Sequence, residues 1–99
     1  MAVLYLSEHA EIVVFQGGGG QALSEPPIAE DTVAISGTSA QSAAFDAKTH
    51  FARVHVDAIC SILFGADPTA TTANKRMAAN ATEVFRVNPG EKIAVIAST

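Results

Sequence analysis

Turn signals interrupt this chain so often that no long helix has room to form. Gly17–Gly20, Pro26-Pro27, Gly37, Gly65-Ala66-Asp67-Pro68, Asn80 and Asn88-Pro89-Gly90 divide it into short segments. Those segments are rich in β-branched residues, and about eight of them recur at spacings near 8–12 residues, the rhythm of a β-sandwich or barrel. No helix-length stretch shows a 3.6-residue period; 39–48 offers at most one helical turn. The fold class expected is all-β: a small antiparallel β-sandwich or β-barrel of about eight short strands, as one domain over 1–99.

The strongest single element is His50–Ala58. Ala52, Val54 and Val56 fall on one side, and Phe51, Arg53, His55 and Asp57 on the other, as a half-buried strand requires. Thr82–Val87 alternates in the same way, with Val84 and Arg86 opposite Glu83, Phe85 and Val87. Further strands are expected at 2–6, 11–15, 32–36, 75–79 and 92–97. Ile59–Phe64 is apolar on both faces apart from Ser61, the pattern of a strand covered on both sides. In a chain of 99 residues that predicts a neighbouring subunit over one face. Residues 16–30, with four glycines and two prolines, are expected to form a flexible loop.

Charge and composition exclude several classes. Six Lys and Arg against ten Asp and Glu give a net charge of −4, and only Lys75-Arg76 are adjacent bases, so no nucleic acid partner is expected. No apolar run reaches the ~20 residues of a membrane span. Met1–Glu8 lacks the basic start of a signal peptide, so the chain is expected to stay in the compartment that makes it. Cys60 is the single cysteine, which excludes an intrachain disulfide and suits a small buried hydrophobe.

The chemical candidates are weak. Gly17–Gly20 lacks the Lys and hydroxyl residue of a phosphate loop. His55 and Asp57 share a face, but a metal site needs a third ligand, and His50 has the opposite parity. An Arg53–Asp57 ion pair on a solvated row is the expected arrangement. Ser61, His55 and Asp57 lack the strained turn that exposes a nucleophile. No catalytic residue, cofactor or metal is therefore expected.

The segments Asp57-Ala58-Ile59-Cys60-Ser61, Phe64–Thr71, Arg76–Asn80 and Phe85–Ile96, with Leu4–Glu8 and Val33–Ser42, together resemble small all-β virion proteins of tailed bacteriophages and prophages. The likeness spans nearly the whole chain and is densest over 50–97. Its motifs are turns and strands, so it carries no catalytic residue. Among such proteins, head decoration (cement) proteins are the nearest in kind. The resemblance implies a non-enzymatic protein on the capsid exterior, made in the bacterial host cytoplasm. It would stabilise the shell by binding between major capsid protein subunits, as a homo-oligomer such as a trimer. A fibre, collar or tail-associated module that attaches to a host surface is the alternative; the absence of Trp and the single Tyr5 argue against glycan binding. The expected interface comprises Ile59, Ile62, Leu63 and Phe64 on the apolar strand, with Phe51, Arg53 and His55 on the polar row.

Overall fold

The computed structural model describes residues 2–14, 21–23 and 25–98. They form ten strands: β1 Val3–His9, β2 Ile12–Val14, β3 Gln21–Leu23, β4 Ala29–Ala34, β5 Ala40–Gln41, β6 Phe51–Val56, β7 Cys60–Gly65, β8 Lys75–Met77, β9 Thr82–Arg86 and β10 Lys92–Ala97. Eight of these make two antiparallel four-stranded sheets, ordered β4-β1-β6-β9 and β5-β10-β7-β8. The other two, β2 and β3, pair as a separate hairpin. The expected all-β sandwich is thus the observed fold. The glycine run itself lies outside the described residues. The loop expected at 16–30 is shorter than its composition suggested, because Gln21–Leu23 and Ala29–Glu30 are strand.

Alternation builds the core. Leu4, Leu6, Val33, Ala52, Val54 and Val56 of the first sheet face Cys60, Ile62, Met77, Ile93 and Val95 of the second in one buried cluster. Burying such side chains stabilises the fold by roughly 1.5–3 kcal/mol each. Phe64 stands between Phe45 and Phe85, with ring centroids 6.4 and 5.1 Å away, and links the two sheets. Lys75 of β8 reaches Glu83 (3.9 Å) and the Phe85 ring (5.5 Å), so β8 and β9 stack along one lateral edge. On the other edge, Asp31 of β4 accepts a hydrogen bond from the Ala43 amide, just past β5.

Two features depart from the sequence-based expectation. Ser39–Lys48 contains no helix; after β5 it runs irregularly into one hydrogen-bonded turn closed by the Thr49 amide on the Asp46 carbonyl, with the Ser42 amide donating to the Ile93 carbonyl and Phe45 bonded through its backbone to both Glu91 and Gly90. One face of β7 is the core, and the chain's own segment 66–74 lies over the other at Ser61, so part of the cover expected from a neighbouring subunit comes from within the chain. Gln41 Nε2 donates to the Pro68 carbonyl (2.6 Å) and to Asp67 (2.9 Å), the Ala70 amide donates to Ser39 Oγ (2.8 Å), and Ser61 Oγ points to the Thr72 carbonyl. Small residues on this face let the segment lie close: Ser61, Ala70 and Ala94 are all buried.

Turn chemistry is local. Gly90 has φ +83°, a left-handed value that a side chain disfavours, and Asn80 adopts φ 62°, which asparagine tolerates.

Cys60 is fully buried among core residues. Burial, then the nearby Asp57 charge, pushes its thiol pKa above the ordinary 9.0. The folded chain therefore keeps this proton where the unfolded chain has lost it. Stability from this group is complete below pH 9.0 and falls as pH rises toward the raised value. Chemical denaturation at pH 8 and pH 10 should show a larger loss for the native chain than for Cys60→Ala. An equal loss in both would remove Cys60 as its source.

Candidate functional site

The outer face of the β4-β1-β6-β9 sheet gathers most of the polar and aromatic side chains singled out in the sequence. The register aligns them in rows across four strands. One row reads Thr32, Tyr5, His55, Thr82; the next reads Glu30, Ser7, Arg53, Val84. Phe51 lies beside Arg86, whose guanidinium sits 5.7 Å from the ring. Tyr5 and Val84 are the most exposed of the large hydrophobic side chains among the described residues, at 48% and 45%. Tyr5 tilts against His55, centroids 6.2 Å apart, and His55 Nδ1 lies 2.7 Å from Thr82 Oγ1.

A hollow of about 190 Å³ opens beside Tyr5 and is lined by Ser7, Glu25, Pro27, Glu30 and Arg53. A shallower hollow of about 300 Å³ lies on the other side of Tyr5, against Glu30, Asp31 and Thr32, so the two fall at or below the low end of the ~300–1,000 Å³ of typical small-molecule pockets. Arg53 has no ion pair among the described residues, so its charge is open to a partner.

The sequence-derived set divides in three. Phe51, Arg53 and His55 lie together on this face, as their parity required. Ile59 is 38% exposed, in the turn before β7. Ile62, by contrast, is 1% exposed within the core, and Phe64 packs against that core. An interface through Ile62 is closed to a folded partner. Leu63 stands on the opposite face of β7 from Ile62, paired with Ala94 and half-buried. The sequence reading missed Tyr5, Glu30, Thr32, Thr82 and Val84, because only the pairing of four strands brings them to one surface.

The expected Arg53–Asp57 pair does not form. Asp57 Oδ1 instead accepts the Val3 amide at 2.7 Å and fastens the start of β1. His55 and Ser61 belong to different sheets and face opposite sides of the sandwich, so the Ser61, His55, Asp57 set does not assemble. No group of three or more His, Cys, Asp or Glu side chains suited to a metal occurs among the described residues.

Comparison with protein-family models, with curated proteins and with solved structures yields no match.

Proposed function

We propose that this chain is a non-enzymatic structural protein of a bacteriophage particle, which decorates and stabilises the capsid shell by binding between major capsid protein subunits. The observation that carries this reading is the outer face of the first sheet. It is a broad strand surface with exposed Tyr5 and Val84 around Arg53, which has no ion pair among the described residues, rather than a deep pocket. Exposed aromatic and Arg side chains are the residue types that dominate protein–protein contacts. The virion resemblance over 50–97 supplies the partner, and many weak contacts repeated over a shell supply the affinity.

The test is co-sedimentation of the purified chain with phage particles or empty shells, followed by heating. Stoichiometric binding that raises the disruption temperature is the expected result. Tyr5→Ala and Arg53→Glu should each weaken shell binding by about tenfold or more. No binding, or a few copies confined to one vertex or the tail, would exclude shell decoration. The hollow beside Tyr5 favours a second reading, a fibre, collar or tail module gripping a polar surface group, and that second result would select it.

A further inference from the structure

Among the described residues no strand pairs with either lateral edge of the first sheet, and the two edges match each other. Along β9, the bonds Val87 N–H to His50 O and Val56 N–H to Ala81 O fix which residues face β6. In an antiparallel ladder that parity turns the amides and carbonyls of Thr82, Val84 and Arg86 outward, away from the sheet. Along β4, the bond from Ile35 N–H to Ala2 O sets the parity, and Glu30, Thr32 and Ala34 turn outward. All six residues are exposed.

We infer that copies of this chain associate head to tail, the β9 edge of one pairing antiparallel with the β4 edge of the next, Arg86 opposite Glu30, Val84 opposite Thr32 and Thr82 opposite Ala34. Three requirements are met, each a consequence of one regular antiparallel sheet with an even number of strands. With four antiparallel strands in the sheet, β4 and β9 run in opposite directions, so a second copy placed in the same orientation presents its β4 antiparallel to β9. All six residues lie on the outer face, so the two sheets join with their faces aligned. The outward-turned residues on each edge are those a ladder needs, giving about six backbone hydrogen bonds, two at each facing pair. One of these requires the Thr32 amide to leave the Asp31 carboxylate, which accepts it at 2.8 Å in the single chain.

Charge sets the direction. The β4 edge carries Glu30 and Asp31, and Asp67 is held beside β5 by Gln41. The opposite lateral edge carries Glu83 and Arg86 on β9 and Lys75 and Arg76 on β8; Lys75 lies 3.9 Å from Glu83, which leaves Arg86 and Arg76 as its excess bases. Pairing β4 with β4 would place acids against acids. Pairing unlike edges places Arg86 against Glu30 and brings Arg76 of β8 toward the next copy's Asp67. Such complementarity fixes partner and register more than it adds affinity. A contact between unlike edges repeats, closing into a ring where the rotation allows and otherwise extending as a filament. The inference goes beyond the capsid reading and stands without it.

Sedimentation velocity on the full chain at low salt should show a species larger than a monomer that dissociates as salt rises. Glu30→Arg and Arg86→Glu should each weaken self-association by about tenfold, since an attractive pair becomes a repulsive one. Mixed in equal amounts, these two variants place opposite charges at every contact of an alternating array and so regain assembly, as does the double variant, while each alone stays weakened. Circular dichroism of each variant separates lost assembly from lost folding. As a second measure, Thr32→Cys mixed with Val84→Cys should give a disulfide-linked dimer, while either alone stays monomeric under oxidation. A native chain monomeric at every concentration, or charge reversals that leave the mass unchanged, would overturn the inference. So would Val84→Cys cross-linking to itself, which marks a two-fold β9–β9 contact.

Discussion

Shortening Ile62 to alanine lowers the unfolding free energy by about 2–5 kcal/mol, because the deletion removes buried methyl groups and leaves a cavity the sandwich cannot close. Ile62 is 1% exposed and pairs across β10 with Val95, itself fully buried, so atoms on every side lose a partner. The neighbouring Ile59 is 38% exposed, and Ile59→Ser should stay within about 0.5 kcal/mol. Urea denaturation of both variants makes the comparison. For a chain of 99 residues the Ile62→Ala loss corresponds to a fall in Tm of about 10 °C or more. Equal small effects at both sites would mean that Ile62 is not a core residue. The contrast matters because sequence alone places both in the same apolar segment.

That segment shows where legibility ended. Alternation in β6 was readable because one face is core and the other is open: Ala52, Val54 and Val56 are fully buried, while Arg53 is exposed. The same logic applied to β7 found no open face and assigned the second cover to a neighbouring subunit, whereas segment 66–74 of the chain itself lies over Ser61. That segment has no periodicity of its own and is held by two hydrogen bonds from Gln41, one from Ser61 and one from the Ala70 amide to Ser39 Oγ. Irregular cover of this kind leaves no pattern to read. The outer face was half legible for a related reason. Parity within β6 grouped Phe51, Arg53 and His55, but Tyr5 joins them only through a register spanning 50 residues between Tyr5 and His55. The glycine- and proline-rich stretch also misled: prolines 26 and 27 mark only the connection, and β3 and β4 lie on either side of it.

The buried carboxylate of Glu8 is the clearest case of a role that only the fold assigns. In sequence it is one more charge near the end of β1, a position that usually faces water. The register with Ala52 turns it inward, where it is 4% exposed. Its Oε1 accepts two hydrogen bonds, from the Asp46 amide at 2.8 Å and from Thr49 Oγ1 at 2.7 Å. Both donors lie in the irregular connection between β5 and β6, where Asp46 also accepts the Lys48 and Thr49 amides. Glu8 therefore ties that connection to the first sheet. Hydrogen bonds to a charged acceptor contribute about 1.5–3 kcal/mol each, and losing the acceptor leaves the fully buried Thr49 hydroxyl without one. Glu8→Ala should cost about 3 kcal/mol or more on this basis. Glu8→Gln retains a neutral oxygen that accepts both bonds, and so loses only the charge-assisted part, roughly half as much. The order Ala worse than Gln, with amide exchange accelerated at Asp46 in both, identifies the carboxylate as an anchor for the connection. If the two variants were equally destabilised with Asp46 still protected, Glu8 would be acting through packing alone.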